Sequence, residues 1–411
     1  MNVFEKKVGV IGLGYIGLPT ALSLAANGVD VTGVDIKKET VESLKAGKVT
    51  FEEEGLDSLF AAAVSKKMEF STEYPVADIY VVTMPTPYDE MTKKVDASYI
   101  VRATESVLDV MPKGAVVVIE STVSPGTIDE HVRPLFSKHG FTLGVDAHLA
   151  HAPERIIPGN MLYELEHNAR TVGADEPEIG DLIRDLYGTF CKGEIVTTDI
   201  RTAEMTKVVE NTFRSINIAY ANELAKLCRV KGMDVREVIR IANKHPRVNI
   251  LSPGPGVGGH CISVDPWFLV GDFGALAELT FSAVSVNASM PEYVLERLSE
   301  IMEKNGITDN SRVGFYGLTY KEDVDDTRES PTLQLLDCMK KHLASGVKIY
   351  DPFVKTQIVE GQVYDFDEFI DSVDLVVILV GHTEIKERMS ALEGKLVFDT
   401  RAVCPFAQER L

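Results

Sequence analysis

Hydrophobic positions in the first half of the chain form short, continuous runs that alternate with stretches of helical spacing. Residues 7–11, 29–35, 79–83 and 115–120 are such runs, and residues 19–27 have the pattern of a helix. Runs rich in β-branched residues are typical of buried strands in a parallel sheet whose strands are joined by crossover helices. The pattern continues to about residue 196 and predicts an α/β domain.

The middle of the chain changes to helical periodicity. Residues 202–231 and 235–243 predict two helices, because apolar side chains recur at helical spacing. Residues 245–270 are interrupted by proline and glycine and predict mostly loop. Residues 276–305 predict further helix. The middle is therefore expected to form a helical domain.

Strand-like runs return in the last quarter of the chain, at residues 312–318, 347–351, 375–380 and 396–399. A second α/β pattern after a helical stretch indicates two α/β domains around a helical middle. The 411 residues suffice for such a division, since one domain holds about 100–200 residues. We expect the three domains at residues 1–197, 198–305 and 306–411.

Composition and charge narrow the kinds of protein that fit. The chain is 45% hydrophobic and 25% charged, as globular proteins are, and 42 Lys and Arg against 62 Asp and Glu give a net charge of -20. This acidity disfavours nucleic-acid and anionic-membrane partners, so an anionic substrate needs a local basic cluster. Five dispersed cysteines without a CxxC pair fit free thiols in the cytoplasm, and no apolar run reaches the roughly 18 residues that span a membrane.

A glycine-rich turn follows the first predicted strand. Gly12, Gly14 and Gly17 form a GxGxxG motif, with Tyr15 and Ile16 between the last two glycines. The first glycine permits the tight turn, the second lets the backbone approach a pyrophosphate, and the third lets helix and strand pack closely. The pyrophosphate then lies at the helix N-terminus. These five residues predict a dinucleotide site.

Polar residues at three other strand ends extend the predicted cofactor site. Asp35 lies 18 residues beyond Gly17, and a carboxylate there hydrogen-bonds ribose hydroxyls and repels a 2′-phosphate, which favours NAD over NADP. Thr86 and Thr122 follow two further strands and are placed to touch the cofactor, because ligands bind outside the carboxyl ends of parallel strands. For either threonine alone, an ordinary turn hydroxyl fits equally well.

The segment PGPGVGGHC, which ends at Cys261, is the most unusual stretch of the chain. Its four glycines let the backbone come close to a ligand and expose the thiol. The other four cysteines lie in or beside apolar or helical segments and are expected to be inert. With Asp265 four residues further on, Cys261 is the candidate nucleophile, against the alternative of a small buried hydrophobe.

The long predicted helix carries Lys207 and Asn211 four residues apart on one face, with Glu204 on the same side. A solvated face is the ordinary interpretation of such residues, but a Lys–Asn pair also suits an oxyanion, one by charge and one by a hydrogen bond. Glu154, in the sequence APER, is a candidate acid or base. The preceding HxxH pattern lacks a third ligand at suitable spacing, so no metal site is expected.

Taken together, the motifs resemble those of one enzyme family. The chain contains, in order, VIGLGYIGLPTA, MPTP, EST, APER, RTAEMTKVVENTFR, HPRVNIL, PGPGVGGHC, VDPWF and DDTRESP. This set covers essentially the whole chain and is similar to that of the UDP-glucose/GDP-mannose dehydrogenases, the nucleotide-sugar 6-dehydrogenases. The resemblance implies an α/β fold with two Rossmann-like doubly wound domains, one binding NAD and one binding UDP. They would be joined by a central helical domain that forms a homodimer.

The resemblance also implies a four-electron oxidation of the sugar C6 alcohol to a carboxylate, with two NAD per turnover. Cys261 would add to the intermediate aldehyde, and the resulting thiohemiacetal would be oxidised to a thioester that water hydrolyses. Lys207 and Asn211 match the residues that stabilise the oxyanion. Asp265 matches a carboxylate that positions water, and Glu154 and Thr122 match residues that assist hydrolysis. The first base stays open between Lys207, Asp265 and a bound water.

Substrate contacts follow from the same resemblance. Besides Lys207 and Asn211, contacts with the sugar or phosphate are implied for Arg155, Ile156, Arg214, His245 and Arg247, and contacts on the UDP side for Gly258, Tyr320, Lys321 and Arg401. Arg328 matches a position near the nicotinamide, and Arg247 matches one that reaches the partner subunit's site. HPRVNIL before the cysteine loop favours UDP-N-acetyl-D-mannosamine as substrate, with UDP-N-acetylglucosamine and UDP-glucose as alternatives.

Two alternatives from other classes explain fewer of these features. A single-hydride β-hydroxyacid dehydrogenase shares a Rossmann half and a helical half, but it needs neither a thiol nor a second α/β domain. An NAD-binding redox sensor or scaffold has no use for the combination of Cys261, Lys207, Asn211 and Asp265. Replacing Cys261 with alanine separates these hypotheses, because a sensor would keep NAD binding as its only activity.

Overall fold

The chain, described here by a computed structural model, is defined at residues 2–66, 68–89, 91–156, 159–259, 261–342 and 344–411. It forms two compact units, Met1–Glu210 and Asn211–Leu411. Each unit contains a largely parallel β-sheet with helical crossovers, so the expected α/β class is confirmed. His260 of the cysteine loop lies outside the described residues.

The sheet of the first unit has eight strands within the described residues. They are β1 (Lys7–Ile11), β2 (Asp30–Val34), β3 (Met68–Ser71), β4 (Ile79–Val82), β5 (Ala115–Ile119), β6 (Ala147–His151), β7 (Arg170–Ala174) and β8 (Ile195–Thr198). Their order is β3-β2-β1-β4-β5-β6-β7-β8. β6 and β7 run antiparallel, whereas the sequence predicts a parallel sheet throughout. The difference arises because a short apolar run does not encode the direction of its strand.

Helices pack against this sheet. They are α1 (Gly17–Ala26), α2 (Lys38–Lys45), α3 (Leu56–Val64), α4 (Ser98–Leu108), α5 (Arg133–Lys138), α6 (Met161–His167) and α7 (Pro177–Tyr187), and a π-helical turn, Ile128–Val132, precedes α5. All residues of β4 and β5 are buried, which explains their uninterrupted apolar sequences.

A 31-residue helix, α8 (Ile200–Val230), begins in the first unit and continues into the second. The second unit then contains α9 (Val235–Ala242), α10 (Asp265–Phe273), α11 (Glu278–Ala288), α12 (Met290–Lys304), β9 (Val313–Tyr316), α13 (Pro331–Lys341), β10 (Lys348–Tyr350), β11 (Gln362–Val363), α14 (Phe366–Ser372), β12 (Leu375–Ile378), α15 (Thr383–Glu387), β13 (Leu396–Asp399) and β14 (Glu409–Arg410). Its sheet has the order β11-β10-β9-β12-β13-β14, the same winding as the first six strands of the other sheet.

Both sheets have the same turn after a central strand. Gly12 follows β1 with φ +97°, and Gly317 follows β9 with φ +101°. In each case the N–H of the next residue donates to a carboxylate at the end of the neighbouring strand, over 3.0 Å to Asp35 and 2.6 Å to Asp351. The two α/β halves therefore share strand order and turn geometry.

The helical middle differs from prediction in two places. The predicted loop over 245–270 ends early, because α10 begins at Asp265 and Pro266 fits its first turn. The predicted helix over 276–305 is divided at Ser289 into α11 and α12. The sequence has no uninterrupted apolar run of membrane-spanning length, but by mean hydropathy the span Asp265–Lys304 contains a window long enough to cross a membrane. Core helices of soluble proteins pass the same test.

Candidate active site

The turn between β1 and α1 has the shape of a dinucleotide cradle. A Cβ at Gly17 would overlap the Gly12 carbonyl oxygen, so helix and turn meet there without space for a side chain. A Cβ at Gly14 would meet nothing within 4 Å, so a pyrophosphate can approach the backbone at this point. No described side chain caps the N-terminus of α1, and the positive end of a helix dipole favours an anion at such a position.

Asp35 is fixed beside this turn. Its Oδ2 accepts a hydrogen bond of 3.0 Å from the Leu13 N–H, and its Oδ1 accepts one of 2.8 Å from the Lys37 N–H. The sheet changes direction of winding between β1 and β4, which is where an open α/β sheet binds a dinucleotide. Tyr15 is exposed at this edge with its ring 4.5 Å from that of Phe51, and Ile16 is half-buried. These residues fit NAD.

The turns after β4 and β5 lie at the same edge of the sheet. The Ser121 hydroxyl donates to the Met84 carbonyl over 2.7 Å, which ties the two turns together. Thr86 is buried and Thr122 is half-buried. The carboxyl ends of neighbouring parallel strands thus bring both threonines to the cofactor edge, and their contact with the cofactor stays a prediction.

The glycines before Cys261 face protein rather than open space. A Cβ at Gly258 would lie 2.6 Å from the Glu329 carbonyl oxygen, and one at Gly259 would lie 2.8 Å from the Tyr320 ring. A Cβ at Gly256 would lie 3.2 Å from Pro331. The Cα side of these glycines therefore packs against the segment around residues 320–331 of the same unit, and the predicted approach of the loop to a ligand stays a prediction.

A cluster of three groups forms where this loop enters α10. The Asp265 N–H donates to the Cys261 carbonyl over 2.8 Å, which closes a turn between thiol and carboxylate. The Asn211 Nδ2 donates to Asp265 Oδ2 over 2.6 Å. Asp265 and Asn211 are buried, whereas Cys261 is half-buried. Cys261, through its backbone carbonyl, and Asn211, through its side-chain amide, are therefore both hydrogen-bonded to Asp265.

The face of α8 that carries Lys207 is not solvated. Lys207 is 5% exposed and forms no hydrogen bond or ion pair with the described residues, an unusual state for a buried ammonium group. One turn earlier, buried Glu204 accepts the Gly126 and Ile128 N–H groups over 2.7 and 2.9 Å. Burial raises the pKa of Glu204 to about 7. Glu204 thus holds the segment that follows Thr122 against α8.

Glu154 lies in a buried cluster of charges. Its Oε1 accepts the Arg155 N–H over 2.7 Å, and its Oε2 pairs with the Arg170 guanidinium, which also contacts Glu120. The sequence indicates no role for Arg170, because a contact between residues so far apart leaves no local pattern. Nearby His151 donates to the Ile119 carbonyl over 2.8 Å if Nδ1 carries its proton, and burial lowers its pKa to about 4. No group of three His, Cys, Asp or Glu suited to a metal occurs among the described residues.

Arg155 is engaged within the first unit. Its Nε and Nη2 contact the two Glu210 oxygens over 2.7 and 2.6 Å, and its remaining contacts are to the Ala169 carbonyl and the Thr171 hydroxyl. The side chain therefore braces α8 one turn from Lys207. Ile156 is buried beside it. Their expected sugar contacts stay predictions.

The remaining predicted substrate residues lie in the second unit. Arg214, His245 and Arg247 are exposed, and the Arg247 N–H donates to His245 Nδ1 over 3.3 Å. Exposed side chains of this kind are available to a ligand or to a second copy of the chain.

Residues expected on the UDP side pack close to the glycine loop. A Cβ at Gly254 would lie 3.0 Å from Arg401 Nη1, and burial lowers the pKa of Arg401 to about 10. Tyr320 and Lys321 are half-buried, and burial raises the pKa of Tyr320 to about 12. Arg328 is exposed and its guanidinium contacts the Asp326 carboxylate over 2.6 Å.

A dinucleotide cradle and a cysteine–carboxylate–amide cluster on two doubly wound units define an NAD-binding oxidoreductase. Family models of the UDP-glucose/GDP-mannose dehydrogenase family match the chain in three parts: the NAD binding domain at residues 6–191, the central domain at residues 201–289 and the UDP binding domain at residues 314–405. The chain belongs to this family. It is an NAD-dependent dehydrogenase of UDP-sugars.

Full-length relatives agree with this assignment. The UDP-N-acetyl-D-mannosamine dehydrogenase of Methanococcus maripaludis is 41% identical over 97% of this chain and 93% of its own length. The NDP-N-acetyl-D-galactosaminuronic acid dehydrogenase of Ralstonia nicotianae is 38% identical over 98% of this chain and 97% of its own. The structure of a UDP-D-ManNAc dehydrogenase from Pyrococcus horikoshii matches with a TM-score of 0.90 and 35% identity over 98% of both chains.

Proposed function

We propose that the chain oxidises the C6 alcohol of UDP-N-acetyl-D-mannosamine to the carboxylate in two steps, through a thioester on Cys261. The observation that carries the chemistry is the connected group of Cys261, Asp265 and Asn211. A single hydride transfer needs no thiol beside a buried carboxylate and amide, whereas oxidation of an aldehyde needs a nucleophile to add first.

The first step converts the alcohol to an aldehyde. A base takes the C6 hydroxyl proton as a hydride leaves C6, and the base is Lys207, Asp265 or a bound water. Gly12, Gly14, Gly17 and Asp35 hold NAD, which supplies the acceptor for each hydride when bound. Lys207 is suited to proton transfer because it is buried without a described partner.

The second step needs the thiolate. A bond forms between Cys261 Sγ and the aldehyde carbon, and the aldehyde oxygen becomes an oxyanion that Lys207 stabilises by charge and Asn211 by a hydrogen bond. One N–H of the Asn211 amide is held by Asp265, and the other is left to donate to this oxygen. Loss of a second hydride from this adduct gives the thioester.

Hydrolysis completes the reaction. Water adds to the thioester carbon, the C–S bond breaks, and the Cys261 thiolate is regenerated with the sugar carboxylate. Asp265 positions this water, and Glu154 and Thr122 assist its attack. The pyrophosphate of the substrate carries negative charge, so an acidic protein needs Arg214, Arg247 and Arg401 as a local cationic cluster.

The choice of sugar rests on the relatives. Of the three relatives described above, two are named for UDP-N-acetylmannosamine and one for an N-acetylgalactosamine derivative. We therefore propose UDP-N-acetyl-D-mannosamine and keep UDP-N-acetylglucosamine and UDP-glucose as alternatives. The test is kcat/KM for the three UDP-sugars in parallel. A higher kcat/KM for either alternative sugar would overturn the specificity and leave the mechanism intact.

We further propose a cytoplasmic homodimer with a shared substrate site. Phe213, Tyr220 and Leu227 lie seven residues apart on α8, so they form one stripe, and all three are exposed. Exposed apolar residues Leu276 and Leu279 follow on the segment before α11 and in its first turn. A second copy of the chain would bury this surface, and Arg247 would then reach the partner's site. The three-domain division at residues 197 and 305 is part of the same proposal.

A further inference from the structure

The buried charge cluster around Glu154 is built from three strand ends. Glu120 follows β5 directly, Glu154 lies in the loop after β6, and Arg170 is the first residue of β7. Because β7 runs antiparallel to β6, its first residue lies at the edge where β5 and β6 end. The one reversed strand pair of the first sheet thus brings a cation between two carboxylates.

The cluster is almost entirely buried. The side chains of Arg170, Glu120 and Glu154 are 4%, 0% and 4% exposed. Arg170 Nη1 lies 3.3 Å from Glu120 Oε1, and Nη2 pairs with Glu154 Oε2. The guanidinium also lies over the Tyr187 ring, 4.4 Å from its centroid. Buried guanidinium groups of this kind hold their partners in one geometry, because every alternative leaves a charge unpaired.

Each carboxylate oxygen of Glu154 therefore has one partner within the protein. Oε1 accepts the Arg155 N–H over 2.7 Å, and Oε2 takes the Arg170 contact. Each carboxylate oxygen has a second lone pair, so Glu154 can still accept a hydrogen bond from water. The orientation of that free lone pair is set by Arg170, and the orientation of Arg170 is set by Glu120 and Tyr187.

We propose that Arg170, backed by Glu120, is the positioning residue for Glu154 and thereby serves the hydrolysis of the thioester. This inference rests on the proposed function, in which Glu154 assists the attack of water on the Cys261 thioester. A misplaced carboxylate slows the step that it serves and leaves earlier hydride transfer almost unchanged. A shift of about 1 Å in such a group can lower a rate about 100-fold.

The test combines rapid kinetics with intact-protein mass on the full-length enzyme, NAD and UDP-N-acetyl-D-mannosamine. Arg170→Lys keeps a positive charge but not the two-pronged contact. We expect kcat to fall about 10- to 100-fold, the first NADH to form at close to the wild-type rate, and a covalent sugar adduct to accumulate on the protein. Arg133→Lys is the matched control, since Arg133 pairs with Asp129 and Asp175 in the same unit, and it should show none of these effects.

A merely structural role of Arg170 would lower kcat and the first-turnover rate together, without an adduct, and would overturn the proposal. If Arg170→Lys does not fold, the isosteric Glu120→Gln decides by the same two readouts. Glu154→Gln distinguishes the positioning role of Arg170 from the role of Glu154 itself. An adduct in Glu154→Gln but in neither of the other variants overturns the positioning role alone. Two NADH per sugar in the wild type with no adduct in Glu154→Gln removes the role of Glu154 itself.

Discussion

Asn211 and Asp265 are joined by a 2.6 Å hydrogen bond between Nδ2 and Oδ2, although 54 residues separate them in the sequence. Both side chains are buried, so bulk water does not compete for this hydrogen bond. The bond orients the Asn211 amide, so that its nitrogen end faces the cysteine turn. An amide held in this way is preorganised to donate to an oxyanion.

Removal of this donor gives the first prediction. Asn211→Ala should lower kcat by about 100-fold or more, as is typical when one oxyanion donor is lost, with a smaller change in KM. Asn305→Ala is the control, since the Asn305 side chain donates to the Ile301 carbonyl at the end of α12, far along the chain from the cysteine turn. Steady-state kinetics of both variants checks the prediction. Equal kcat values for Asn211→Ala and the wild type would contradict the oxyanion role.

Asp35 supports a prediction on cofactor choice. Asp35→Asn removes the charge that favours ribose hydroxyls and repels a 2′-phosphate, so the ratio of NAD affinity to NADP affinity should fall by about tenfold. Titration of each cofactor by calorimetry measures this ratio. Asp30→Asn, at the opposite end of β2, is the control and should leave the ratio unchanged. An unchanged ratio in Asp35→Asn would place the cofactor away from this carboxylate.

The raised pKa of Glu204 implies that the stability of the fold depends on pH. Its pKa is raised by burial from 4.5 to about 7, so between these values the folded chain holds a proton that the unfolded chain has released. The free energy of unfolding should therefore fall as pH rises through this window, by about 3 kcal/mol from this group.

Glu204→Gln isolates that contribution. Denaturant unfolding gives the free energy of unfolding of wild type and variant at about pH 5 and pH 8. Between the lower and the higher pH, the value for the wild type should fall by about 3 kcal/mol relative to the value for the variant. The raised pKa of Glu120, about 7 through its burial, acts in both proteins and cancels in this comparison. A constant difference would mean that Glu204 is ionised throughout the range.

The exposed stripe on α8 predicts the oligomeric state. Phe213 is 65% exposed, and Phe213→Glu places a charge in the proposed interface. Sedimentation at micromolar concentration should show a dimer for the wild type and monomer for the variant. Tyr163→Glu is the control, because Tyr163 is similarly exposed in the first unit. A monomeric wild type would remove the homodimer and, with it, the reach of Arg247 into a partner's site.

The strands and the glycine turn are the parts of the fold that the sequence predicts best. β1 and β13 are predicted to the residue, because a short apolar run between polar ends encodes a buried strand by itself. The start of α10 at Asp265 is missed, since the dense glycine and proline before it suggest that the loop continues. Pro266 is a helix-starting residue when it lies in the first turn.

The residues of the candidate site also differ in how far the local sequence predicts them. Gly12, Gly17 and Asp35 are local signals, and their geometry follows from a strand, a turn and a helix in sequence. Arg170 carries no such signal, and the spacing on α8 places Glu204 on a helix face without indicating its partners. These partners lie 16 to 78 residues away and are brought together by the antiparallel strand pair and the packing of α8. The glycines before Cys261 show a third case, in which a local signal predicts close approach but not the neighbour, and the structure places the Tyr320 ring beside Gly259.

The proposed mechanism assigns the second oxidation to Cys261. The most direct measurement is the number of NADH released per UDP-N-acetyl-D-mannosamine consumed, by the wild type, by Cys261→Ala and by Cys338→Ala as a control for loss of a half-buried thiol. We expect two NADH for the wild type and the control, and no more than one for Cys261→Ala, with no sugar carboxylate formed. Two NADH from Cys261→Ala, or only one from the wild type, would contradict this mechanism.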